Sequence, residues 1–272
     1  MSYHHCNGTK KGVVMAKIIV VANGKGGVGK TDTAKNVSYC LAKQGSMVLM
    51  VDLDHQGNGS RVMTGGSYSF DVTMTDVFAT KGVEVIKAIV PAVDGKTEEE
   101  IDNLFIAPAS PLFGEAVIAA HQRTRREQIL EKALKGVVDD FDYIVIDCAP
   151  SLDLSALNAI NIADLIVSPI GDVVSVEATA SLYSKVLDLR EDDMPLCYMF
   201  RTMKDGRASI ENDLIDHDIA ENLIPRFEAE INRCANVSKS IVANQAVCAY
   251  KKGSVVAMKY KELTKEIVEV LE

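Results

Sequence analysis

The chain has 272 residues, 47% of them hydrophobic and 25% charged, with a formal net charge of −9 at pH 7. That apolar content can build a core and excludes a disordered chain, while no apolar run reaches the roughly 18 residues that cross a bilayer. The acidic balance argues against a protein coated with nucleic acid. It hides an asymmetry, because the window 226–261 holds seven Lys/Arg against Glu228 and Glu230 and so carries +5.

In chain order, residues 1–15 carry His, Lys and Gly with no signal-peptide stretch. Residues 1–16 are expected to form a flexible leader, and residues 17–272 a single domain of a cytoplasmic protein. The runs 17–23 (KIIVVAN) and 47–54 (MVLMVDLD) are nearly all apolar, as in strands covered on both faces. Runs 104–107, 143–148, 165–170 and 196–202 repeat that character. Helical spacing covers 30–44, 123–135, 154–163, 176–189, 210–220 and 257–271. The polar stretch 91–103 reads as a surface excursion. Alternating strands and helices imply right-handed crossovers and a doubly wound α/β fold, a mostly parallel sheet with helices on both faces. Cys6, Cys40, Cys148, Cys197, Cys234 and Cys248 form no C-x-x-C pair and no zinc-like spacing, so they read as reduced packing residues.

The strongest motif is Gly24-Lys25-Gly26-Gly27-Val28-Gly29-Lys30-Thr31, directly after a predicted strand and opening a predicted helix. Glycines let consecutive backbone N–H groups curl around phosphate oxygens where side chains would clash. The N-terminal end of the following helix adds positive potential to that anion site. Lys30 is placed to reach the β- and γ-phosphates, and the Thr31 hydroxyl to ligate Mg²⁺. Lys25 is not required by the ordinary motif. It is either a solvated lysine or one that reaches a second nucleotide across a dimer interface.

Carboxylates end two further strands. Asp52 and Asp54 close Val-Leu-Met-Val-Asp-Leu-Asp, and Asp147 closes Tyr-Ile-Val-Ile-Asp. The carboxyl ends of parallel strands face the ligand crevice, so three acids are expected beside the phosphate loop, to hold Mg²⁺ or orient a water. Alternation puts Asp52 and Asp54 on one side of their strand.

On these residues the chain resembles the ParA-family partition ATPases of the deviant Walker A, MinD/ParA group. The resemblance rests on Asn23 to Thr31, on Asp52-Leu53-Asp54-His55-Gln56-Gly57-Asn58 and on Ile146-Asp147-Cys148-Ala149-Pro150-Ser151-Leu152, and runs from about residue 17 to the C-terminus. It implies ATP and Mg²⁺ as cofactors. Gly24, Lys25, Gly26, Gly27, Val28, Gly29, Lys30, Thr31 and Asp32 would then contact the nucleotide, and Thr31, Asp52 and Asp147 the metal. Lys25, as the signature lysine, would contact the nucleotide of a second subunit in an ATP-bound homodimer. Lys25, Lys30, Asp52 and Asp54 would serve slow hydrolysis, which a ParB-like centromere-binding partner stimulates. Nonspecific DNA would be bound through Arg226, Lys251 and Lys252, giving a cytoplasmic protein that is nucleoid-associated in its ATP form.

The sequence departs from that pattern in three places. Asp32 stands where the family usually has Thr, and His55 and Ala149 stand where it usually has Pro. An acid suits an empty helix N-terminus, but near an α-phosphate it repels, so Asp32→Thr is expected to tighten nucleotide binding. The residues ahead of the first strand are too few for a helix-turn-helix domain, which favours the short, Soj-like type. A MinD-like membrane positioner is the second reading. The chain's end, Lys265 to Glu272, carries three acids, which face anionic headgroups poorly, so no membrane partner is expected. A nucleotide-gated adaptor with impaired hydrolysis is the third.

Overall fold

The computed structural model describes residues 15–191 and 193–272; residues 1–14 of the expected leader, with Cys6, lie outside the described residues. Seven strands form one sheet: β1 (Lys17–Val21), β2 (Val48–Leu53), β3 (Val90–Val93), β4 (Glu100–Ala107), β5 (Tyr143–Cys148), β6 (Leu165–Ile170) and β7 (Leu196–Arg201). Their order is β3-β4-β2-β5-β1-β6-β7, with every pairing parallel except β3 with β4. The central strands are buried on both faces, as their unbroken apolar runs require.

Alternation along the strands builds two cores. Ile18, Val20, Leu49, Val51, Ile144 and Ile146 face one side. There they meet α3 (Met74–Ala79), α4 (Phe113–Ala120), α5 (Ile129–Leu134), α6 (Leu154–Ile162) and α7 (Val173–Leu189). Ile19, Val21, Val48, Met50 and Val145 face the other. They meet α1 (Lys30–Lys43), α2 (Asn58–Met63), α10 (Val247–Tyr250) and α11 (Val255–Leu271). Two more helices, α8 (Ser209–Glu221) and α9 (Ala235–Val242), lie between β7 and α10 in the chain. The doubly wound, mostly parallel sheet expected from the sequence is therefore present.

One expectation is overturned. Residues 91–103 are not a surface excursion but most of an antiparallel edge hairpin, β3–β4. The first half of β4 alternates exposed acids with half-buried residues, and Pro91 is tolerated in β3 because that edge strand lacks an outer neighbour. Its turn closes on Asp94, whose Oδ1 accepts from the N–H groups of Lys96 and Thr97. The helix expected over 123–135 is also shorter. Arg125 takes a left-handed conformation, φ 56°, and the α-helix starts only at Ile129. Among the described residues Cys40, Cys148, Cys197, Cys234 and Cys248 carry free thiols, as expected.

Leu41 on α1 is fully buried in the second core, where α1 is clasped between the sheet and α11. Leu41→Ala is expected to cost about 3 kcal/mol, read as a lower urea midpoint at unchanged slope.

Candidate functional site

β1 leads into Asn23, which sets the entry angle of the phosphate loop. The Asn23 amide nitrogen lies 3.0–3.2 Å from Ser168 Oγ, Pro169 O, Ser175 O and Thr179 Oγ1, so β6 and α7 hold it. Its Oδ1 accepts from Lys25 N at 2.8 Å, curling the chain into the turn. Gly27 and Gly29 take left-handed φ of 75° and 90°, which a side chain would strain. No side chain caps α1, so its first N–H groups remain open toward the loop.

Lys30 is buried and its Nζ donates to Lys25 O at 2.8 Å, which folds it over the loop. Burial lowers its pKa, against the upward pull of Asp147, Cys148 and Asp54. Asp52 and Asp147 are register neighbours on β2 and β5, and neither is exposed to solvent. Neither oxygen of Asp147 makes a hydrogen bond. Burial drives its carboxyl well above the usual range, the charges of Asp52 and Asp54 add to this, and the nearby Thr31 hydroxyl and Lys30 oppose it.

Asp52 is differently placed. Its Oδ2 accepts from Ser60 N and Ser60 Oγ, both at 2.7 Å, and its Oδ1 from Asp54 N at 3.0 Å. Ser60 Oγ accepts in turn from Ala109 N at 2.9 Å. Asp52 thus ties α2 and the loop after β4 to the strand end, and burial pushes its pKa up to about 6 despite those bonds. Asp54 Oδ1 accepts from Gln56 N at 2.9 Å and lies 3.4 Å from His55 Nδ1.

Beside these groups lies a cleft of about 370 Å³ lined by Gly26, Gly27, Gly29, Lys30, Thr31 and Asp54, with Asp32 among its walls; Asp52 and Asp147 are fully buried and are not among its lining residues. Lys35, Val62, Met203 and Ile241 also line it, and the sequence reading missed all four, whereas Gln56, Asn58 and Pro150 belong to the motifs it quoted. Only Lys35 carried a signal, its three-residue spacing from Asp32. Lys25 points the other way: its Nζ pairs with Asp172 Oδ2, the N-cap of α7. Against the upward push of burial, Lys25 and the Ser175 N–H hold Asp172 below the usual carboxylate range.

The basic residues do not converge. Arg226 lies along β7, bridged to Met199 and 3.8 Å from Asp216. Lys251 and Lys252 occupy the turn between α10 and α11, and Lys252 acts on Asp94 of the opposite-edge hairpin. A third basic group, Lys204, Arg207 and Arg233, lines an open cavity of about 350 Å³ after β7.

A glycine cradle, a buried lysine and an orphaned buried carboxylate together fit a polyphosphate with a divalent cation. The family model described as an AAA domain, AAA_31, matches residues 16–194. The chain belongs to the ParA/MinD family of P-loop ATPases. It is 29% identical over 259 residues to the sporulation initiation inhibitor protein Soj of Bacillus subtilis, covering 93% of this chain and 98% of Soj. Cobyrinic acid a,c-diamide synthase from Mycobacterium smegmatis, solved with bound ADP and magnesium, superposes with TM-score 0.76 at 25% identity over 93% of this chain and 94% of that one. The septum site-determining protein MinD of Pyrococcus horikoshii, complexed with Mg-ADP, gives 0.74 at 25% identity over 94% of this chain and 98% of MinD. The same ATPase fold thus serves a biosynthetic enzyme and a positioning protein, so function turns on the residues around the shared cradle.

In this ParA/MinD-family ATPase, Asp52 and Asp147 have folded-state pKa values raised above their unfolded ones. Stability from this source is full below the unfolded value near 4 and is lost as pH rises through the folded value, about 6 for Asp52. In chelator without nucleotide, thermal melts are expected to rise as pH is lowered from 7.5 to 5.5, and Asp147→Asn to flatten that rise.

Proposed function

We propose that this chain is an ATP-driven partition or positioning switch of the ParA type. The single observation that carries the reading is Asp147, fully buried at the end of β5 with neither oxygen paired by a hydrogen bond, close to Lys30 and Thr31. A carboxylate in that position is stable only when a cation completes it. Backbone N–H groups of the loop and Lys30 would bind the phosphates of ATP, and Thr31 and Asp147 would hold Mg²⁺. Bound there, the metal supplies positive charge against the oxygens of the transferred phosphoryl group.

Asp54 lines the cleft with Oδ1 held by Gln56 N, so it is oriented to receive an attacking water. Asp52 holds the Asp54 backbone and α2 in place. Lys25 is bound to Asp172 within its own subunit. In an ATP-bound homodimer it would exchange that carboxylate for the second subunit's nucleotide. Both partners are about one-third exposed, so the exchange costs roughly 1 kcal/mol or less.

Nonspecific DNA is the cargo track favoured here, with Arg226, Lys251 and Lys252 joined by Lys204, Arg207 and Arg233 as contact candidates. Hydrolysis, slow alone, would be stimulated by a ParB-like centromere-binding protein. The C-terminal helix α11 alternates Lys with Glu on its exposed side and buries Tyr260, Leu263 and Ile267 against the sheet, which disfavours the membrane alternative.

The decisive experiment is a gel shift with nonspecific duplex DNA, comparing no nucleotide, ADP–Mg²⁺ and ATP–Mg²⁺ at fixed salt. Retention is expected with ATP–Mg²⁺ alone. Lys30→Ala should abolish it, and Asp54→Ala should retain DNA while losing turnover by at least tenfold. Equal retention by both variants and wild type under all conditions would refute the switch.

A further inference from the structure

Beyond the phosphate cradle, the cleft wall carries a buried ion pair. Lys35 Nζ lies 2.8 Å from Asp32 Oδ1, and the two side chains are 2% and 16% exposed. Both line the cleft next to Gly29 and Thr31. Asp32 sits in the first turn of α1, whose N-cap Gly29 offers no side-chain cap. The Asn36 amide donates to Asp32 O at 2.7 Å and helps fix that turn. An anion is therefore built into the place where a polyphosphate must enter. At about 5 Å and a protein-edge dielectric, one uncompensated like charge weakens binding on the order of a hundredfold.

We infer that Lys35 is a nucleotide-binding residue of this chain, cancelling Asp32 and offering its remaining donors to the nucleotide between phosphate and base. The inference rests on reading the cleft as a nucleotide site. An ammonium carries three donors on a compact head, and the Asp32 carboxylate takes one of them. Ordinary helix pairs at this spacing lie on solvated faces and add a few tenths of a kcal/mol to helix stability. This pair instead faces inward, so its charges act on the ligand more than on the helix. It also changes the meaning of Asp32. The acid is not a bare repulsive charge but half of a neutral unit, and its effect on affinity depends on Lys35.

The test is a two-residue cycle read by calorimetric titration with ATP–Mg²⁺ and ADP–Mg²⁺, each variant first shown folded by its melt. Lys35→Met is expected to weaken both nucleotides at least tenfold, because Asp32 is left unbalanced. Asp32→Asn is expected to tighten them at least threefold, because Lys35 is freed for phosphate. The double variant is expected within threefold of wild type, a rescue that a purely structural pair would not produce. Should Lys35→Met fail to fold, Asp32→Asn decides alone, and unchanged affinity in it overturns the inference. Lys35→Met binding as tightly as wild type, or a double variant as weak as Lys35→Met, overturns it too. Lys30→Ala separates the levels. Wild type that binds neither nucleotide sinks the cleft reading with the inference, whereas binding lost in Lys30→Ala but intact in Lys35→Met sinks only the role of the pair.

Discussion

The structure turns on charge held out of water at the carboxyl ends of β2 and β5. Asp52 and Asp147 stand side by side in register with no solvent contact. Burying one carboxylate without a partner costs several kcal/mol, and two adjacent ones repel each other as well. The fold answers the two differently. Asp52 is satisfied by Ser60 and the Asp54 backbone, while Asp147 is left to Lys30, Thr31 and its own protonation. The treatment is unequal: Asp52 ties α2 and the Asp54 backbone to the strand end, while both Asp147 oxygens are left without a hydrogen bond. A sheet built from nearly pure apolar strands tolerates such an arrangement because the strands on either side are secured by two full cores.

The second constraint is that the loop has its ends tied to separate parts of the fold. Asn23 binds the loop entry to β6 and α7, and the exit continues as α1, packed under α11. Asp172 joins the two systems, since it caps α7 and also pairs with Lys25. The loop's conformation is therefore set by α7 as much as by its glycines. The cap on α7 does not depend on Lys25, because Asp172 Oδ1 accepts from Ser175 N while Lys25 pairs with Oδ2.

What is legible in the sequence follows from range. The cradle is contiguous and its glycine spacing has one chemical use, so residues 24–31 identify themselves by spacing alone. The strand-end acids are legible because apolar runs closing in Asp announce the edge of a parallel sheet. The partners of these residues are not, because they are distant in the chain: Asp172 lies 147 residues from Lys25, and Ser168 145 from Asn23. The β3–β4 hairpin is hidden because β3 is short and interrupted by Pro91, and β4 opens with the polar, half-exposed Glu100-Ile101-Asp102-Asn103. Lys35 is in plain view at three residues from Asp32. Taken as an isolated charge, Asp32 only repels phosphate; its neighbour on the next turn decides its sign of action.

The basic residues show where linear reading misleads about a surface. Residues 226–261 form one positive window in sequence, yet Arg226 runs along β7, with Phe227 stacked on Tyr198, while Lys251 and Lys252 follow α10. Only the second group is held directly by the nucleotide helix. Asn36 Oδ1 on α1 accepts from Cys248 N at 3.0 Å, and Cys40 Sγ lies 3.6 Å from Cys248 Sγ. A hydrogen bond and a packed thiol pair therefore join α1 directly to α10, which leads into the turn that holds Lys251 and Lys252. Among the described residues Arg226 makes no hydrogen bond to α1, and its backbone bridges to Met199 of β7. Contact alone is not coupling, since coupling needs an element with two states that both sites bias. Within this fold the candidate for that element is α1, because it carries Lys30, Thr31, Asp32 and Lys35 at one end and holds the Lys251–Lys252 turn through Asn36 and Cys40.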